Sequence, residues 1–451
     1  MEATLSYTGV NSNKAALNRG LVSIPTSARR LTPWATPEKN RVQPLSRSKV
    51  PEPTLCCFFN KAGFFVIFIN DSQSTSIALA VYWLTAIDVL GTSALQFAYQ
   101  SNIGVEDALI YMLHRANSHL EKPHSSLRIL FFDFSSAFNT IQPQLLAEKL
   151  SLMQVDHSLV DWITDYLTSR PQYVRLQGSV SDVLVSNTGA PQGTLQSPFL
   201  FPLYTTDFRF NSGSCHLQKF SDDSSIVSCI TDDNEEEYRA LVENSVGWCD
   251  NNHLKLNISK TKELVLDFRR SMKRSLTPIT IRGEEVEVVN SYKFLGVQLN
   301  NKLDWSDNTD ALFRKAQSKL FFLKGLRSFN VCTRLLQTFY QSVVASVLFF
   351  AGLCWGGNTN KKDAERLNKL VRKANSVVGV KLDNLEEVAE GRTRRKLDSI
   401  LDYPSHPLHA ELVKMRSTVS IRLITPKHST KRLGNPFVPV AIRLHNKEVT
   451  K

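Results

Sequence analysis

One run of strand length, Leu127 to Phe132 (LRILFF), is apolar except for Arg128 and passes directly into Asp133. An apolar run this short reads as a strand buried on both faces, and an acid at its end stands at the sheet's edge, where sites form. A second feature narrows the fold further. Asp222 and Asp223 lie between two β-favouring stretches, in CHLQKFSDDSSIVSC (Cys215 to Cys229), and small polar residues mark the turn. The expected structure is a hairpin with two carboxylates at its tip. Adjacent carboxylates repel each other, and a divalent cation offsets that repulsion best. The chain also carries a contrasting pair. Asp232-Asp233 runs into Asn234 and three glutamates, the pattern of an acidic helix start.

Between the two acidic sites lies Gly189-Ala-Pro-Gln-Gly193-Thr-Leu-Gln-Ser197-Pro198. Its glycines and prolines break regular structure before an apolar helix start. Buried strand to acid, glycine-rich turn, and two-aspartate hairpin, in that order, form a far more specific pattern than any one of them.

This order resembles the palm of reverse transcriptases encoded by non-LTR (LINE-type) retrotransposons. FFDFSSAFNTI is similar to the family's first palm motif, GAPQGTLQSPFLF to its second, and FSDD to its two-aspartate block. WCDNNHLKLNISKTKELVLDF (Trp248 to Phe268) resembles the fourth motif, YKFLGVQLN (Tyr292 to Asn300) the primer grip, and Leu95 to Ala116 part of the fingers. Ser221 stands where relatives usually have alanine, and Gln196 where most have an apolar residue.

The resemblance implies an α/β (α+β) right-hand polymerase fold with partial fingers, an antiparallel palm sheet and a helical thumb. It implies RNA-templated addition of dNMP to a primer 3′-hydroxyl, with an RNA template, a DNA primer and dNTP as partners. In phosphoryl transfer, positioning and charge neutralisation carry most of the catalysis. Two ions can clamp the attacking and leaving oxygens, and oxygen-only ligands suit Mg²⁺ or Mn²⁺. Asp133 and Asp222 are the implied bridging metal ligands, with Asp223 a weaker partner. Lys260 is the implied acid for the leaving pyrophosphate. Phe138 is the implied gate against a 2′-hydroxyl. Gln192 and Gly193 are expected against nucleotide or template, where a missing side chain admits close backbone approach.

The chain has 451 residues, 54 Lys and Arg against 42 Asp and Glu, and a formal net charge of +12. That excess favours a polyanionic partner. Seven cysteines without a single Cys-x-x-Cys argue against a zinc knuckle and against a disulfide framework.

Along the chain, residues 1–54 are rich in Ser, Pro, Thr and Arg and are expected to be disordered. Residues 55–93 are apolar in patches and of unclear fold. Their longest run, Ile77 to Ile87, is shorter than the ~20 residues of a spanning helix, so no membrane partner is expected. Residues 94–300 are assigned to fingers and palm, and 301–385 to a thumb-like helical region. Three helical faces are expected there: Leu312, Phe313, Ala316, Leu320 and Leu323; Leu335, Leu336, Phe339, Val343 and Val347; and Leu367, Leu370, Val371 and Ala374. Residues 386–451 are expected to form a basic tail, densest at Arg392-Thr-Arg394-Arg395-Lys396.

The N-terminal endonuclease of full-length relatives has no counterpart here. The expectation is therefore a truncated, partly degenerate copy whose endonuclease would be supplied in trans. Two other readings stand beside it. One is a catalytically inactive nucleic-acid-binding relic of the same family. The other is an AlkB-related 2-oxoglutarate dioxygenase or methyltransferase, suggested by residues 301–357. Against the latter, His-x-Asp occurs nowhere among the ten histidines, and His-x-Glu only at His119-Glu121 and His409-Glu411, in helix-like contexts.

Overall fold

The computed structural model describes residues 4–7, 56–59, 65–68, 95–194, 197–269, 277–426, 428 and 434–449. The disorder expected of residues 1–54 falls, apart from residues 4–7, outside the described residues, as do the run Ile77–Ile87 and Gln196. The chain divides into two compact units. The smaller takes in residues 1–84 and 170–185. There Thr4–Tyr7 pairs antiparallel with Arg170–Leu176, and Cys56–Phe59 with Phe65–Phe68.

The larger unit is built on a five-stranded sheet. Its strands are β1 (Ser125–Phe132), β2 (Cys215–Phe220), β3 (Asp223–Thr231), β4 (Lys262–Leu266) and β5 (Glu287–Val289), in the spatial order β5-β4-β1-β3-β2. The apolar run forms the central strand, and all eight of its residues are buried. Pairs β2–β3, β3–β1 and β1–β4 are antiparallel, whereas β4–β5 is parallel. The sheet is thus antiparallel through its centre, as expected, with one parallel pair at its edge. A short hairpin, β6 (Ser291–Phe294) with β7 (Val297–Asn300), follows directly. Its turn uses Leu295 and Gly296 at φ 46° and 84°, the left-handed pair that a two-residue hairpin favours.

The two faces of β1 differ in character. Leu127, Ile129 and Phe131 join a core with α1 (Val105–Leu120), whose Ala108, Leu109 and Met112 are completely buried. On the other face Arg128, at 1% exposure, pairs with Glu263 (Nε–Oε1 2.9 Å) and with Glu235 (2.5 Å) at the start of α2 (Glu236–Asn251). The Tyr238 hydroxyl donates to Glu263 at 2.5 Å, so the buried charges are paired and hydrogen-bonded as low-dielectric surroundings require.

The C-terminal part is helical. α3 (Ser306–Ser328) buries Leu312, Ala316, Leu320 and Leu323 as its spacing predicts, with Phe313 half-buried. α4 (Lys361–Val378) buries Leu367, Leu370, Val371 and Ala374, also as expected. The stretch between them departs from expectation. Of its five expected core residues only Leu336 is buried, and Leu335 is 59% exposed. The buried set is Leu336, Tyr340, Val344, Ala345 and Leu348, one position on from the expected face, and Tyr340–Ala345 winds as a π-helix.

The basic segment is not a loose tail over its described residues. Its densest cluster lies within α5 (Leu385–Asp402), which opens on a reciprocal Asn384–Glu387 cap. Arg392 donates to the Phe349 carbonyl at 2.7 Å, Lys396 pairs with buried Asp107 at 2.9 Å, and Arg394 pairs with Glu390 and Glu448. α6 (Phe437–Val449) packs against α5. No single helix among the described residues is long and apolar enough to cross a membrane.

Candidate active site

β1 pairs with β3 up to Phe132 opposite Ser224, so the next residues, Asp133 and Asp223, leave the ladder side by side. β2 and β3 close at Phe220–Asp223 through the two-residue turn Ser221–Asp222. Ser221 takes φ 59° at the first turn position, the sign that tight hairpins require there. Three carboxylates from two distant segments thereby reach one end of the sheet.

Their electrostatics follow from this crowding. The Asp223 carboxyl is pushed up to about 6, first by loss of solvent and then by Asp222 and Asp133 beside it. Its side chain still reaches solvent, so the neighbouring charges are the cause best supported by geometry. Asp222 is exposed and forms no hydrogen bond or ion pair among the described residues. Among the described residues the cation paired with the site is Lys260, whose Nζ lies 4.0 Å from Asp133 Oδ2, at the outer limit of an ion pair, with its side chain 69% exposed. The chain after α2 brings it there: Asn257 N donates to the Asp133 carbonyl at 2.8 Å, and Phe134 bridges Leu256.

The glycine-rich turn docks on the residues that follow Asp133. Gly189 N donates to Ile141 O, and Ala190 N to Phe138 O, both at 2.7 Å. Gly189 sits at φ 74°, and a Cβ there would lie 2.7 Å from the Asn139 Cα, so only glycine permits the approach. Phe138 is half-buried, its ring 5.3 Å from that of Phe201. Gln192 Nε2 reaches Asn139 Oδ1 at 3.3 Å. Gly193, at φ 83°, has nothing within 4 Å of a would-be Cβ and faces open space.

Two further neighbours were not singled out from the sequence. Tyr292 of β6 stacks on Phe131 with ring centroids 4.1 Å apart. Its hydroxyl is pushed up by burial and then by Asp223 and Asp133, which marks it as a close companion of the carboxylates. Thr261 Oγ1 accepts from Asp133 N at 3.3 Å. Tyr292 lies in the YKFLGVQLN block, but nothing in that block alone connects it to the acids.

An oxygen-only set of three acids, one of them pushed up to about 6 by burial and by its like-charged neighbours, has the composition of a divalent-cation site. Among the described residues, no group of three His, Cys, Asp or Glu side chains is already closed around a point where an ion would sit.

Residues 84–299 match the family model "Reverse transcriptase (RNA-dependent DNA polymerase)". Residues 305–346 match a second model, "Alkylated DNA repair protein alkB homolog 8, N-terminal". That segment contains no histidine and forms α3 and the helix after it. The chain is 26% identical over 278 residues to an RNA-directed DNA polymerase from the mobile element jockey of Drosophila funebris, covering 58% of this chain and 29% of that relative. It is 23% identical over 265 residues to a probable RNA-directed DNA polymerase from transposon BS of Drosophila melanogaster, covering 55% and 29%. The chain thus spans less than a third of the length of these relatives. Among solved structures, telomerase from Candida tropicalis in complex with a fragment of telomeric RNA is similar over 82% of this chain and 64% of that one, at 12% identity and TM-score 0.40.

Proposed function

Residues 84–299 belong to the reverse transcriptase family, in its non-LTR, LINE-type branch, and from this premise we propose that the chain is an RNA-directed DNA polymerase. It adds dNMP to a primer 3′-hydroxyl along an RNA template. The observation that carries the reading is the gathering of Asp133, Asp222 and Asp223 at one sheet end, with Lys260 4.0 Å from Asp133.

The family works with divalent metal ions, and Asp133 and Asp222 would hold two Mg²⁺ or Mn²⁺ ions, with Asp223 a weaker partner. Bound there, the metals would supply charge neutralisation for the attacking and leaving oxygens. The chain's own residues do the rest. Lys260, exposed beside Asp133, would deliver a proton to the leaving pyrophosphate. The Gly189–Gly193 turn, fixed on Phe138 and Ile141, offers open backbone at Gly193 for the incoming nucleotide or template. Phe138 stands on the turn beside Asp133, where its ring can exclude a 2′-hydroxyl. The basic surface supplies phosphate contacts, although Arg392, Arg394 and Lys396 are already engaged within the fold.

Primer extension on an RNA template, with Mg²⁺ and then Mn²⁺, tests the reading. Extension that needs either metal and is lost in Asp133→Asn supports it. Duplex binding with a steep salt dependence but no extension would leave a nucleic-acid-binding relic. Phe138→Ala should admit ribonucleotides while dNTP use continues; unchanged discrimination would assign the ring to the core against Phe201.

A further inference from the structure

The turn that carries Asp222 is held from outside its own hairpin. Residues 95–97 run parallel along the free edge of β2: Phe97 N donates to Lys219 O, and Lys219 N to Leu95 O, both at 2.9 Å. From this strip Gln96 points its carboxamide at the turn. Its Oε1 accepts from Ala98 N at 3.0 Å and from Ser221 N at 3.1 Å. Both partners are N–H donors, so the oxygen must face them, and the amide's orientation follows from its surroundings. Gln96 is 1% exposed.

Three residues after Gln96, the Tyr99 hydroxyl lies 3.3 Å from Ser221 Oγ. The Tyr99 ring also leans on Phe199, centroids 5.6 Å apart, in the helix that follows the glycine-rich turn. Tyr99 and Ser221 both adopt φ 59°. Left-handed backbone at two non-glycine residues is uncommon and persists where surrounding contacts hold it.

We propose that Gln96 and Tyr99 are positioning residues for the two-aspartate turn, with Ser221 as their point of attachment. Gln96 fixes the backbone immediately before Asp222. Tyr99 fixes the neighbouring side chain and joins the hairpin tip to the glycine-rich block through Phe199. An exposed carboxylate on an untethered two-residue turn samples many positions. A carboxylate whose preceding residue is held at both amide and hydroxyl samples few, and ligand geometry is where that restriction counts. The inference rests on the metal-binding reading of Asp222 given above, but its test separates the two.

The experiment uses the full chain and the variants Tyr99→Phe, Ser221→Ala and their combination. Hydrogen–deuterium exchange of the peptide spanning the turn is measured together with Mn²⁺ binding by electron paramagnetic resonance. Tyr99 is 39% exposed, so losing its hydroxyl leaves the fold intact. Each single change should weaken Mn²⁺ binding by roughly three- to tenfold, the range of one neutral hydrogen bond, and should speed exchange at the tip. The double variant should be no worse than either single one. Gln96→Leu should speed exchange at Ser221 further. If Tyr99→Phe leaves tip exchange unchanged, or adds its full effect in the Ser221→Ala background, Tyr99 does not act through Ser221 and the proposal falls. If the parent protein binds no Mn²⁺, the metal reading fails, while tip exchange still decides whether the turn is held.

Discussion

The strand β3 carries an Asp-Asp pair at each end, and the fold treats them oppositely. At the far end Asp232 and Asp233 occupy a turn with φ 53° and 59°. Asp233 meets Arg269 at 2.6 Å, and the same guanidinium holds Asp267 at 2.8 Å. The helix starts at Glu236 with acidic residues in its first turn, as the sequence reading expects, and this pair sits in the turn just before it. At the near end Asp222 and Asp223 lie beside Asp133, and among the described residues the one ammonium paired there, that of Lys260, stands 4.0 Å from Asp133. The dipeptide is the same; what differs is whether the fold brings an arginine to it. Repulsion left uncancelled inside a folded protein marks a place where a cation from solution is the natural complement.

This contrast breaks most readily at Asp222. Asp222→Asn should lower primer extension by about a hundred- to a thousandfold, the scale of losing one preorganised electrostatic contact. Asp232→Asn should leave extension as it was. Equal losses in the two variants would erase the distinction between the pairs. Lys260→Gln should come next, with single-turnover extension falling by roughly a hundredfold as general-acid assistance is lost. Its thermal midpoint should not move, because the lysine is exposed and barely paired.

At the arginine-paired end the expected effect is on stability. Asp233→Asn should cost about 1–2 kcal/mol in chemical denaturation, as for a partly buried ion pair. Extension per folded molecule should be unchanged. The smallest effect concerns pH. The Asp223 carboxyl titrates near 6 in the fold, above its ordinary 3.8. A raised carboxyl favours the protonated fold, so its penalty is absent below about pH 4 and sets in as pH rises to about 6. Metal-free protein should lose a little stability across that window, and Mn²⁺ binding should weaken a few-fold below pH 6 as the proton competes. Asp223→Asn should flatten both trends; undiminished slopes would assign them to another group.

The central strand with its acid, the hairpin and the helices α3 and α4 were legible because each depends on local pattern alone: an apolar run, a polar turn between β-formers, or a three-to-four spacing. What escaped depends on neighbours distant in sequence. Between α3 and α4 the buried face runs through Leu336, Tyr340, Val344 and Leu348, one residue on from Leu335, Phe339, Val343 and Val347, which a four-residue spacing fits equally well. The basic cluster at Arg392–Lys396 reads as a binding run until Phe349, Asp107 and Glu448 arrive from elsewhere to occupy it. The parallel strand β5, and the Gln96 and Tyr99 contacts to Ser221, likewise come from tertiary placement.

The one charge in the central strand has a bearing on how the chain finds its fold. Side chains alternate along a strand, so pairing β1 one residue out of step would turn every position over. Arg128 would then enter the apolar layer beneath α1, and Glu263 and Glu235 would lose their partner. An orphaned buried charge costs several kcal/mol, on the order of 3–5, a large fraction of a domain's net stability. Arg128 therefore works as a proofreader of strand alignment. It sits five positions before Asp133, on the face turned away from α1, and penalises each mispaired sheet that would deliver the acid to the wrong place.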